Sequence, residues 1–295
     1  MNHVELYIGK TLIDRIYGLW MHIWIELTHN VDKKNIINKM IGTTGLNGLS
    51  YGLPCNVPQR LTIPLLFSFC RYKNLSLPIG ALRDNNYITL KFFFEKKNNC
   101  MQVGNMPRGD LTNVLLWVDN IYLDNQEKKD LAQKPYEYLI EVTQHLKRNL
   151  IYGNIKTIQL PFTLSCKELM WVVQNKKPNG DKFTDFTFNN SSMVNNVQFK
   201  FNSKNVFSSG ARTNDYFNYV IPYQFHSSMP DLGINAWSLS LNPQSLEPTG
   251  FINFGHLKQA NININTQPNG IMDIFALSYN IMHIEGGNIK LIHKY

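Results

Sequence analysis

Short runs of β-branched, aromatic and aliphatic residues, each closed by a turn former, recur along almost the whole chain. They fall at residues 4–8, 61–70, 87–94, 114–123, 138–142, 157–164, 169–173, 197–201, 236–241, 251–254, 261–265 and 274–284. Side chains that branch at Cβ or carry a ring suit a pleated, half-buried surface. The Pro, Gly and Asn residues between the runs favour reversals of direction. A chain divided in this way is expected to close as an all-β sandwich or jelly roll. Asn261-Ile262-Asn263-Ile264-Asn265 alternates strictly, which predicts one apolar and one wet face. Residues 218–256 read as two strand-like runs about a polar turn, with 243–250 connecting adjacent strands.

Helix signals are few. In residues 124–134, Asp124 can cap the first turn and Glu127 can answer it, and Pro135 stops the run. A second short helix is expected over 33–40. The helix after Asp124 lies between two strand-rich blocks, where a connector belongs. The expected organisation is therefore a first sandwich over 1–124, a connecting helix over 125–135 and a second sandwich over 136–295. Trp20 and Trp24 share a face whether 18–27 is helix or strand, and a buried aromatic cluster is expected there.

The chain has 295 residues, 43% of them hydrophobic, enough to bury one or two cores. The net charge of +8 suggests anionic partners only if the cations cluster. They do not: the densest groups are the pairs Lys96-Lys97, Lys128-Lys129 and Lys176-Lys177, which read as solvated. No specific nucleic-acid contact is expected. Cys55, Cys70, Cys100 and Cys166 form no C-x-x-C pair, so free buried thiols are expected. Residues 1–5 lack the basic start and apolar core of a secretory leader, and no run reaches the roughly 18 to 20 apolar residues of a membrane helix.

Candidate chemistry fails on spacing. Gly42, Gly45, Gly48 and Gly52 lack the Gly-Lys-Ser/Thr that a phosphate loop needs. No two of the eight histidines stand two or four residues apart, so none form a ligand pair on one strand or helix face. His283 with Glu285 reads as strand alternation, Cys166 as a core residue, and Asp84 with Glu95 shows no dyad pairing. The triplets at Asn74, Asn189 and Asn190 read as chance in an Asn-rich chain. No catalytic residue, cofactor site or metal site is expected, and an enzyme is the least favoured class.

Five segments, in order, resemble one family. They are 4–28, with Ile-Gly, Ile-Asp, Tyr-Gly and Trp-Ile-Glu-Leu-Thr; 63–71 with 75–82; Leu116-Trp117-Val118-Asp119-Asn120-Ile121-Tyr122-Leu123-Asp124 with 136–141; Lys167-Glu168-Leu169-Met170-Trp171-Val172-Val173-Gln174; and 218–256. Together they are similar to the double jelly-roll major capsid proteins of large icosahedral DNA viruses. Ser68 stands where that family commonly has Trp, and Gly80 and Arg83 replace other usual residues. The resemblance implies two jelly rolls side by side, a pseudo-hexagonal homotrimer, and trimers tiling an icosahedral shell. Its implied partners are further copies, neighbouring capsomers, and minor capsid and penton proteins. The implied location is the virion, after assembly in the host cytoplasm. Residues 189–209 would be a loop or loop edge on the outer face.

The family's opening strands have no counterpart before Val4. The first jelly roll is therefore expected to be incomplete at its N-terminus, with an apolar edge exposed around Leu6 and Ile8 and a need for a complementing partner. The alternative function is a glycan-binding, lectin-like jelly-roll module, which would need aromatics exposed on a loop face.

Overall fold

The computed structural model describes residues 1–42, 60–82, 86–96, 111–150, 155–175, 186–188, 191–267 and 270–294. Gly45, Gly48, Gly52, Cys55, Arg83, Asp84, Lys97, Cys100, Lys176, Lys177, Asn189 and Asn190 lie outside them. The N-terminal region begins with the hairpin β1 (His3–Ile8) and β2 (Thr11–Tyr17), followed by α1 (Gly18–Thr28) and α2 (Val31–Met40). A short α3 (Ser68–Arg71) precedes β3 (Ile88–Phe93). These strands form a three-stranded sheet in the order β2-β1-β3. After α4 (Asn125–Gln133) come β4 (Tyr136–Leu150), β5 (Lys156–Gln159), β6 (Ser165–Asn175), β7 (Thr187–Phe188), β8 (Ser191–Ser192), β9 (Val194–Phe201), β10 (Lys204–Asn205) and β11 (Arg212–Thr213). Helix α5 (Ile221–Phe225) interrupts them before β12 (Asn235–Ser238), β13 (Ile252–Asn253), β14 (Ala260–Thr266), β15 (Gly270–Glu285) and β16 (Asn288–Leu291).

Two sheets make the C-terminal sandwich. One holds β10 and β11 on β9, then β14 and β5; the other centres on β15, with β4 on one side and β6 and β16 on the other. Strands β12 and β13 both pair with β6. The connection at 243–250 thus joins two strands that lie end to end along one neighbour. Gly286 and Gly287, both at positive φ, make the two-residue hairpin between β15 and β16, where a side chain would be strained.

Aromatic rings fill the space between the sheets. Phe199 lies flat against Trp237 at 4.3 Å and meets Trp171 edge-on at 5.6 Å, and Trp171 meets Phe217 at 4.9 Å. Residues Leu169, Trp171 and Val173 share this inner face with Met272, Ile274 and Ala276. Met170, Val172 and Phe275 point the other way, yet they are equally buried. The β15 sheet is covered on both faces, which is why β6 and β15 read as continuous apolar runs rather than alternating ones. The cover on the outer face comes from the N-terminal region: Tyr17 of β2 meets Phe275 and His145, and α1 supplies Trp20 and Trp24.

Several expectations need correction. Leu6 and Ile8 are buried, because β1 is the middle strand of its sheet, with β2 and β3 on either side. Residues 218–225 are helical and not a strand, with a π-type turn Tyr216–Val220 running into α5. Pro222 suits a helix start, where its missing N–H costs nothing. Phe217 and Ile221, one turn apart, are buried, and Asn218 donates to the carbonyls of Asp231 and Ile234. Residues 61–67 form no strand; Pro64 has no N–H for a ladder, and Phe67 enters the core singly. Within 191–209, the strand expected at 197–201 is β9, which begins at Val194, with Val194, Val197 and Phe199 buried, so the described part of that segment is loop only at its flanks. Cys70 is exposed, whereas Cys166 is buried.

The largest correction falls on 114–123, expected as a strand: residues 111–123 form neither helix nor strand and join no sheet among the described residues. Trp117 is 80% exposed and Tyr122 89% exposed, and Val114, Leu115, Leu116, Val118 and Ile121 are exposed with them. Helix α4 follows as expected: Asp124 accepts from the Glu127 amide, and the Glu127 carboxylate accepts from the Asp124 amide.

Two measurements check this arrangement. Phe199→Ala removes a ring from the centre of the sandwich and is expected to cost about 3–5 kcal/mol in urea unfolding. Trp117→Phe is expected to abolish most of the acrylamide-quenchable fluorescence, since Trp20, Trp24, Trp171 and Trp237 are buried.

Candidate functional site: a buried polar junction

The outer face of the β15 sheet carries an unusual number of ionisable groups under its cover. On β4, the alternation places Glu141, Thr143 and His145 on the face that Tyr279, Leu277 and Phe275 share. On β6 the register slips between Leu277 and Ser278, so Lys167 is an extra residue opposite no partner. That bulge lets Lys167 and Glu168 both point outward instead of alternating. Glu141, Lys167 and Glu168 are each almost fully buried.

The N-terminal region supplies their counterparts. Arg71, at the end of α3, sets Nη1 2.7 Å from Glu141 Oε2 as an ion pair. Its guanidinium is held flat among rings, 4.8 Å from the centre of Trp24 and 5.3 Å from those of Trp20 and Tyr72. Lys167 Nζ donates to Glu141 Oε1 and, at 2.9 Å, to the Ser245 carbonyl. The Tyr72 hydroxyl lies 3.2 Å from Glu141 Oε1 and 3.0 Å from the Gln244 carbonyl. One carboxylate thus gathers α3, β6 and the 243–250 connection. Burial pushes the Lys167 ammonium down and its contact with Glu141 pulls it back up. Burial also drives the Tyr72 and Tyr279 hydroxyls well above their usual range, so both stay protonated.

The free edge of β4 is closed by side chains instead of a strand. Asp14 Oδ1 accepts from the Thr143 amide at 3.1 Å, and Ser68 Oγ accepts from the Glu141 amide at 3.1 Å. An unpaired sheet edge buried without such partners would be costly. The departure at Ser68 therefore has a use: its hydroxyl caps an amide. Beside Asp14 and Ser68 lies a void of about 10 Å³, roughly one water in size. Burial raises the Asp14 carboxyl to about 7, and its bonds from the Thr143 and Arg15 amides oppose that shift.

Two further braces flank the cluster. His145 Nε2 lies 2.7 Å from Asp273 Oδ1, with its ring stacked on Phe275 at 4.6 Å. His226 Nε2 lies 2.6 Å from Glu168 Oε1, both side chains fully buried.

Sequence reasoning singled out none of Asp14, Arg71, Glu141 or Lys167. Their only local signal is charge inside apolar runs. Residues that it did weigh lie elsewhere: His283 bridges Glu137 at 3.1 Å and Glu285 at 3.4 Å near the surface. Cys166 is fully buried, and burial pushes its thiol up to about 12, the opposite of an activated nucleophile. Among the described residues no group of three or more His, Cys, Asp or Glu could hold a metal ion, and no helix is long and apolar enough to cross a membrane. The junction braces the two regions against each other.

Two outcomes test the junction. Glu141→Gln leaves Arg71 and Lys167 buried without their carboxylate and is expected to cost about 3–5 kcal/mol in chemical denaturation. Asp14 has a higher pKa folded than unfolded, so its contribution is complete below about pH 4 and is lost as pH rises through about 7. The melting temperature of the natural chain should fall between about pH 4 and 7 relative to Asp14→Asn, whose Oδ1 still accepts from Thr143, and the difference should level off at higher pH.

The comparisons agree with this architecture. The family model described as large eukaryotic DNA virus major capsid protein matches residues 127–289, and that described as major capsid protein N-terminus matches residues 1–124. The major capsid protein of Pyramimonas orientalis virus is 30% identical over 314 residues, covering 97% of this chain and 74% of that protein. Probable capsid protein 4 of Acanthamoeba polyphaga mimivirus is 27% identical, covering 96% and 77%. A chain of the quasi-atomic PBCV-1 virus capsid superposes with a TM-score of 0.80 at 22% identity, covering 100% of this chain and 84% of that one, a likeness that speaks for the fold. The all-β jelly-roll architecture expected from the residues is thus the one found, and the chain belongs to the family of major capsid proteins of large eukaryotic DNA viruses.

Proposed function

We propose that this chain is a tile of an icosahedral virion shell, working as a homotrimer whose flat sides meet neighbouring capsomers. The observation that supports it most is the double-faced cover of the β15 sheet, cross-braced by Glu141, Arg71 and Lys167. A tile needs two sandwiches held at a fixed angle, because symmetry repeats any play between them across every contact. In this reading residues 1–124 and 136–295 are the two jelly rolls and 125–135 connects them. Minor capsid and penton proteins are the further partners, assembly takes place in the host cytoplasm, and the chain carries out no catalysis. The lectin-like alternative needs exposed aromatics beside hydrogen-bonding side chains. Trp117 and Tyr122 are exposed, but their neighbours Leu115, Leu116, Val118 and Ile121 favour contact with protein.

Native mass spectrometry and electron microscopy of the purified chain test the proposal. Trimers that form hexagonal plates or closed particles are expected. A chain that stays monomeric at every concentration, while folded by circular dichroism, would count against it.

A further inference from the structure

The strip at 114–122 carries exposed apolar side chains at both odd and even positions and has no strand beside it among the described residues. Seven large apolar side chains in water are a strong drive toward association. A second unfilled edge exists in the same molecule. β3 pairs with β1 alone, and its outer edge meets no strand among the described residues. Its inward side chains, Ile88, Leu90 and Phe92, are only partly covered, and Phe93 and Phe94 are exposed.

The two edges are complementary in charge and pattern. The strip carries Asp119 and no cation, whereas the block around β3 carries Lys91 and Lys96 against Glu95. Laid antiparallel with Asp119 opposite Lys91, the strip sets Trp117 opposite Phe93 and Ile121 opposite Thr89. On the other face it sets Val118 opposite Phe92 and Leu116 opposite Phe94. Across 116–122 every apolar position then meets an apolar or β-branched one, save that Leu90 faces Asn120, and Asp119 meets Lys91; beyond that stretch Leu115 falls opposite Glu95 and Val114 opposite Lys96. Among the described residues the strip does not lie on β3 of its own molecule, and that edge is open to a second copy.

We infer that residues 116–122 of one copy add as a strand to the outer edge of β3 in a second copy of this chain. This is strand addition to an exposed sheet edge, in which backbone bonds supply affinity and alternate side chains supply register. It goes beyond the tile reading, since it names a contact between two copies whatever the number in the ring.

The test mixes two variants of the full chain, Lys91→Cys and Asp119→Cys, under mild oxidation, and maps the linked peptides by mass spectrometry. A 91–119 link between copies is expected in the mixture and in neither variant alone. Sedimentation velocity gives the second arm: Asp119→Lys should lose self-association, and adding Lys91→Asp to it should restore it. Both positions are exposed, so circular dichroism should not change. The inference is overturned by the absence of the 91–119 link, by a link that forms only within one molecule of the double-cysteine chain, or by self-association indifferent to Asp119→Lys. Trimers that persist without the link would leave the tile reading intact and remove this one.

Discussion

The ionic link between the N-terminal region and the β15 sheet gathers on a single buried carboxylate. Glu141 sits on β4, takes the guanidinium of Arg71 from the N-terminal region, and takes the ammonium of Lys167 from β6. Burying three charges is expensive, and a well-packed apolar trio would often be as stable. What the ionic arrangement adds is geometry. A planar guanidinium clamped between Trp20, Trp24 and Tyr72 fits its carboxylate in few orientations, whereas apolar contacts tolerate sliding. For a shell component, orientation between sandwiches is the property that matters.

The edge of β4 shows the same economy. A long strand whose outer amides lacked partners would invite pairing with any passing strand. Here Asp14 and Ser68 occupy two of those amides. Asp14 has been placed where its carboxyl titrates near neutrality, which ties the fit of the two regions to pH. In contrast, the outer edge of β3 and the strip at 114–122 have no such covers among the described residues. The molecule therefore closes the edges inside its own junction and leaves others for contacts between molecules.

Much of the architecture was legible in the residues, and the failures have physical reasons. The runs in β1, β3, β6, β9, β14 and β15 announced themselves through β-branched and aromatic content, and the Asp124–Glu127 cap marked α4. Residues 61–67 and 114–123 have the same composition yet lack a ladder, because composition reports a preference for extended backbone and says nothing of whether a partner strand is present. Residues 218–225 looked like a strand because Tyr, Val and Ile prefer sheets. The buried pair Phe217 and Ile221 and the position of Pro222 decided for helix. The junction was illegible for a different reason. Arg71, Glu141 and Lys167 are far apart in sequence, and Lys167 reaches its partner only through a bulge that no local pattern signals. Ser68, marked as a departure from the family, was the one visible clue to it.

Hydrogen–deuterium exchange resolved at single amides tests the central claim most directly, namely that the N-terminal region and the β15 sheet open as one cooperative unit. The amides of Glu141 and Thr143, which face Ser68 and Asp14 and not another strand, should exchange as slowly as those at the centre of β15. Fast exchange at these two amides, with β15 still protected, would show that the N-terminal region comes away independently and would contradict the account.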